Sequence, residues 1–161
     1  MELVIIDTVE NGLRDDACDG LLYVMGIHTL PNFVPLYVGK AERRGVTHAI
    51  SANLKNVRRN KDRFARWGDK LAYHIGDLSH SLFKFQAYRK PTRKYERWAT
   101  ALFASRNPPI LKEIAYLYIA PWTRNEQGPS SLPCSLPAVE NEVIALASVQ
   151  RGDRLLNVEG I

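Results

Sequence analysis

Leu21-Leu22-Tyr23-Val24 and Leu36-Tyr37-Val38-Gly39-Lys40 are two apolar, β-prone runs, each with a tyrosine inside it. Between them, Thr29-Leu30-Pro31-Asn32 supplies turn chemistry. The spacing predicts a β-hairpin with strands over residues 21–27 and 34–38. Pro35 marks an edge position, because proline cannot donate to a central ladder. Two phenols side by side on one sheet, at the head of a strongly basic stretch, suggest chemistry on a phosphodiester. The same residues also fit two buried tyrosines in a small sheet.

Outward from the hairpin, Leu3-Val4-Ile5-Ile6 reads as a first strand or a packed arm. Gly39 and Gly45 bracket a tight polar loop, and Ser51 offers an N-cap for a helix through Leu54, Val57 and Phe64. Trp67-Gly68-Asp69 ends that pattern, and residues 71–75 read as a short strand. Residues 92–105 have helical spacing, with Tyr95, Trp98, Ala99, Leu102 and Phe103 on one side, up to a break at Asn107-Pro108-Pro109. Residues 114–120 form the clearest strand. A loop over 125–136 follows, and Pro137 in a first helical turn opens a helix to about Val149. This order makes one α+β domain over 1–161: a small antiparallel sheet with helices on its faces, plus an inserted helix or hairpin segment at about 69–109.

The 161 residues carry a net charge of +5. From Lys40 to Arg97 there are sixteen Lys and Arg against five Asp and Glu, a net of +11, which leaves −6 for the remainder. A positive field gathered into one segment is the electrostatic footprint of a polyanion-binding surface. A solvated helix face rich in Lys and Arg has the same composition. The apolar share of 45% is enough to bury a core. No stretch approaches the roughly 18 apolar residues of a membrane span, and the acidic start lacks the basic leader of a signal peptide. Cys18 and Cys134 have no metal-type spacing and read as free thiols. These features predict a cytoplasmic protein with no membrane partner, nucleoid-associated when bound to DNA.

Leu21-Leu22-Tyr23 followed by Tyr37-Val38-Gly39-Lys40-Ala41 resembles the paired signature of the GIY-YIG nucleases, with Leu21-Leu22 standing where that family has Gly-Ile. The order of parts is similar too: the hairpin, a basic helix with an arginine, a strand, a helix carrying a glutamate, and a closing asparagine. The resemblance spans nearly the whole chain, with a longer middle than the minimal domain. It implies a metal-dependent endonuclease hydrolysing DNA phosphodiester bonds.

Residues 137–144, Pro-Ala-Val-Glu-Asn-Glu-Val-Ile, resemble the family's glutamate helix. At about 100° per residue, Glu140 shares a face with Val143, Ile144 and Ala147, while Glu142 points roughly 200° away. A carboxylate on an apolar face requires a partner, for which a divalent cation is suited. Both glutamates also fit an acidic first turn complementing the helix dipole. The resemblance makes Glu140 the holder of one Mg²⁺ or Mn²⁺ per site and Asn157 the closing asparagine. For its arginine there are four candidates: Arg43, Arg44, Arg63 and Arg66. Arg66 is the first choice, because Phe64 and Trp67 can lock its stem, and Arg44, with His48 at i+4, is the second. Arg43, Lys55, Arg58, Arg59, Arg63 and Asn157 are the expected nucleic-acid contacts, although phosphate positioning or plain solvation is ordinary work for any one arginine here. His74 alternates with apolar residues and is either a site residue or a satisfied structural histidine. His28 and His80 carry no signal. Lys40 is either a phosphate contact or an exposed lysine.

On this reading Tyr37 is general base for the attacking water, Tyr23 orients the water or the phosphate, and Arg66 or Arg44 stabilises the transition state. Lys40 and His74 support them. One carboxylate is too few for an all-protein two-metal site. A restriction-type enzyme fits a chain without a separate DNA-binding domain, and cutting both strands with one site per chain calls for a homodimer. Two other readings use the same residues. One is a non-catalytic nucleic-acid-binding module on the same fold, favoured by the missing Gly-Ile and by Thr47 standing where minimal members of the family have the arginine. The other is a small partner-binding α+β protein with buried tyrosines.

Overall fold

The computed structural model describes residues 2–43, 66–67, 73–74, 93–106, 108–151 and 153–158. The helix expected after Ser51 lies outside them. Helix α1 (Glu2–Arg14) opens the chain, in place of the strand or arm that its first apolar run predicts. Four consecutive apolar residues fit either element, and burial decides between them. Ile5, Val9 and Gly12, at i, i+4 and i+7, go inward, while Leu3 and Val4 stay exposed. The Asp15 carboxylate then accepts from the Ala17 amide and turns the chain into the sheet.

Strands β1 (Cys18–Thr29) and β2 (Asn32–Glu42) form the expected hairpin, each longer than its apolar run. Strand β3 (Arg66–Trp67) pairs with β4 (Tyr73–His74). Helix α2 (Arg93–Leu102) leads into a second hairpin, β5 (Phe103–Arg106) and β6 (Pro109–Leu111). Strand β7 (Ala115–Thr123) and helix α3 (Leu136–Arg151) complete the fold. The main sheet is antiparallel, in the order β2-β1-β7. The architecture is α+β, a small antiparallel sheet with helices on its faces. No helix among the described residues is long and apolar enough to cross a membrane.

Central strand β1 is covered on both sides, so its alternation sorts the core. Leu21, Tyr23, Met25 and Ile27 point to one face, which meets Ile5 and Val9 of α1, then Trp98 and Leu102 of α2. Leu22 and Val24 point to the other, which meets Val143, Ile144 and Ala147 of α3. Trp98, fully buried, falls within the stretch read as an insertion, so this part of the segment belongs to the core. One irregularity sets the faces of β2. Met25 pairs with Tyr37 but Gly26 pairs with Pro35, which leaves Leu36 as an extra residue. The bulge brings Leu36 and Tyr37 to the Trp98 side together, and it turns Pro35 and Phe33 to the α3 side, opposite Gly26 and His28.

The tail closes the outer edge of β2. Leu156 donates its amide to the Leu36 carbonyl at 2.7 Å. The Asn157 side chain then accepts from the Val38 amide through Oδ1 and donates to the Val38 carbonyl through Nδ2, both at 2.9 Å. It imitates one residue of a paired strand. Asn157→Asp keeps the acceptor but sets a second acceptor against a carbonyl, and should lower the free energy of unfolding by about 1–3 kcal/mol. Protonating that carboxyl restores a donor, so urea denaturation should show the gap to the wild type narrowing between about pH 7 and about pH 4.

Candidate functional site

Residues 37–40 are where distant parts of the chain meet. Tyr37 packs edge-on against Trp98, with ring centroids 4.8 Å apart, and lies 6.1 Å from the ring of Tyr23. Val38 is held by Asn157. Gly39 is covered by Tyr23: a Cβ added there would lie 2.5 Å from both Cζ and Oη of that phenol. Lys40 donates to Glu140 Oε2 at 2.8 Å. The closing asparagine, the glutamate helix and the first tyrosine thus all reach the second tyrosine's segment.

The sheet nonetheless divides them. Cross-strand partners share a face, so Tyr23 with Gly39, and Met25 with Tyr37, place both phenols on the α1–α2 side. Leu22 pairs with Lys40, and this row lies on the α3 side with Glu140. The roles expected for Tyr23, Tyr37 and Glu140 need all three at one phosphate, but the phenols and the carboxylate lie on opposite faces, with β2 between them. The bulge at Leu36 produces this, since it fixes which residues of β2 accompany Tyr37.

Glu140, the carboxylate expected to need a partner on its apolar face, is paired with Lys40. The Lys40 ammonium sits between two carboxylates, Glu140 at 2.8 Å and Glu42 at 3.8 Å. Lys40 and Glu140 are only 27% and 18% exposed, so little water screens the pair. Glu42 was legible as a neighbour, because period two in a strand puts it on the face of Lys40. Glu142 does different work, accepting from the amide and hydroxyl of Ser130 at 3.0 and 2.9 Å and so pinning the loop before α3.

Arg43, expected to touch nucleic acid, bonds within the molecule to the turn after α1. Its Nη1 donates to the carbonyls of Asp15 and Cys18, and its Nη2 faces Asp16. It ties the end of β2 to the turn after α1. Asn157, expected among the same contacts, bonds to both backbone groups of Val38. Arg44, Lys55, Arg58, Arg59 and Arg63 lie outside the described residues. The backbone pairs Arg66 directly with His74 across the β3–β4 ladder. Beside Glu42 a cleft of about 340 Å³ is lined by Asp16, Asp19, Arg43 and Arg124, the last paired with Asp19 at 3.1 Å.

Among the described residues, no group of three or more His, Cys, Asp and Glu stands ready to hold a metal through protein ligands alone. Glu140 and Glu42 fit the looser mode of Mg²⁺, in which one or two carboxylates bind and water and phosphate supply the remaining oxygens. Compared with family models, curated proteins and solved structures, the chain matches none.

Two outcomes follow. Gly39→Ala should destabilise the protein by about 1–3 kcal/mol, because the new methyl must displace a buried ring. The loss should be smaller in a Tyr23→Val background, and a double-mutant cycle in urea measures that coupling. Lys40→Met should destabilise more than Lys40→Met combined with Glu140→Leu, because the single change strands a part-buried carboxylate. Thermal unfolding of the three proteins decides the order.

Proposed function

We propose that this protein is a divalent-metal-dependent endonuclease that hydrolyses DNA phosphodiester bonds, of the single-domain restriction type. The observation that carries the reading is the Lys40–Glu140 pair. A carboxylate and an ammonium 100 residues apart in sequence are held at 2.8 Å, next to the tyrosine-bearing hairpin and at the strand end from which the basic segment departs. The GIY-YIG resemblance supplies the same parts in the same order.

Glu140, with Glu42 beside it, would hold the Mg²⁺ or Mn²⁺, which supplies positive charge against the oxygens of the scissile phosphate. Lys40 is drawn from its carboxylates by the arriving phosphate and stays against it as charge builds. The resemblance makes Tyr37 the general base for the attacking water; because Tyr37 lies across β2 from Glu140, its alternative part is to brace the strand that holds Lys40, edge-on against Trp98 and beside Tyr23. Either Arg66 or Arg44 clamps the phosphate. Two chains, each with one site, cut the two strands.

The placement of the phenols and Glu140 on opposite faces favours the second reading, a nucleic-acid-binding module without catalysis. Plasmid DNA with Mg²⁺ or Mn²⁺ separates the two. For the enzyme, Glu140→Gln should abolish cutting while DNA binding persists, and Tyr37→Phe should slow cutting about 10²- to 10⁴-fold. Wild-type cutting by Tyr37→Phe would remove the phenol from the chemistry and confine the reaction to the α3 face. Salt-sensitive binding with no metal-dependent cutting would establish the binding module.

A further inference from the structure

On the α3 side of the sheet, toward the hairpin turn, four aromatic rings lie in continuous contact. His28 meets Tyr116 edge-on with centroids 4.5 Å apart, Phe33 meets Tyr118 edge-on at 5.0 Å, and His28 and Phe33 are 5.4 Å apart. A hydrogen bond of 3.0 Å joins His28 Nε2 and the Tyr118 hydroxyl. The Phe33 ring lies directly over Gly26, where an added Cβ would be 2.3 Å from its Cζ. Core packing on this face is already completed by Val38, Ile144, Ala147 and Leu155. Tyr116 and Tyr118 nevertheless remain 42% and 52% exposed, and His28 is exposed as well.

We propose that these four rings form a stacking platform for unpaired bases of a single-stranded segment of nucleic acid. Aromatic side chains displayed on neighbouring strands offer π-surfaces that accept any base. Mutual edge-to-face contacts and the His28–Tyr118 bond fix the rings beforehand, so a base meets an ordered surface and little freedom is lost on binding. The phenols and the imidazole give polar edges for base atoms, and the cluster contains no carboxylate to repel phosphate. Lys40 stands on the same face. Along β1, its row at Leu22 lies two and four residues from the rows of Tyr118 and Tyr116, at Val24 and Gly26. That is about 7 and 13 Å along the strand. The net charge of +11 over residues 40–97 complements the polyanion.

This platform rests on the reading of the chain as a nucleic-acid enzyme, and it adds to the duplex being cut a contact for bases left unpaired a few nucleotides from the scissile phosphate. The test is fluorescence anisotropy of labelled oligo(dT), an abasic oligonucleotide of equal length, and a blunt duplex, at one salt concentration without metal. Tyr116→Ala and Tyr118→Ala should each weaken oligo(dT) binding about 5- to 100-fold, with duplex affinity and Tyr116→Phe within about twofold of wild type. The wild-type protein should lose a similar factor on the abasic strand, a comparison that needs no substitution. Equal affinity for abasic and dT strands, equal losses on duplex and single strand, or no binding to either would overturn the platform. So would a change of oligomeric state in the Ala variants, which would make the rings an interface between copies of this chain. Cutting is scored separately. Ring-dependent binding without metal-dependent cleavage would sink the nuclease reading and leave the platform standing, and cleavage without ring dependence would do the reverse.

Discussion

Asn157 grips the peptide unit of Val38 with both polar atoms of its amide, and residues 37–40 depend on that grip. Among the described residues, strand β2 has a neighbouring strand on one side only. An edge of that kind leaves amides and carbonyls open to water or to another chain. The tail supplies the missing partner for one residue, and Leu156 does so for Leu36. With the edge closed, Val38 can be buried completely beneath α3. Tyr37 and Lys40 then leave the strand in fixed and opposite directions, and Glu140 finds Lys40 without any adjustment of α3. A side chain outside every regular element thus sets the geometry of the strand that carries Tyr37 and Lys40.

Much of this arrangement was legible because its causes are local. The hairpin follows from two β-prone runs around turn residues, β7 from an unbroken alternation, and α3 from Pro137 and a 3.6-residue stripe. Glu140 was recognisable as a carboxylate needing a partner. What escaped the sequence has non-local or two-valued causes. The run at Leu3 fits strand and helix equally until Ile5 and Val9 have something to bury against. The bulge at Leu36 has a single clue, Pro35, whose missing amide hydrogen disrupts a ladder without saying which way the next side chain turns. That one extra residue decides that Tyr37 joins Trp98 rather than Glu140. His28 carried no signal, because its meaning comes from Phe33 and two tyrosines of a strand about 90 residues away.

The sheet works as a partition. On one face, phenols, an indole and aliphatic chains exclude water. On the other, an ammonium lies between two carboxylates near one end, and an open row of rings lies toward the other end. A polyanion meets different chemistry according to the face it approaches, and the α3 face holds both the charged group and the exposed aromatic one. The carbonyl and carboxylate contacts of Arg43 hold its guanidinium against the turn after α1.

Two glycines of the hairpin lie beneath rings on opposite faces: Gly39 under Tyr23, Gly26 under Phe33. Together they act as alignment marks. Sliding β2 by two residues would keep each side chain on its own face, a slip that hydrophobic pattern alone does not oppose. It would, however, bring Tyr37 or Ala41 beneath the ring of Tyr23, and either has a Cβ where only hydrogen fits. Sliding by one would exchange the faces altogether. The hairpin can therefore zip in a single alignment, and mispaired forms are rejected by the two strands themselves before any helix has docked on them.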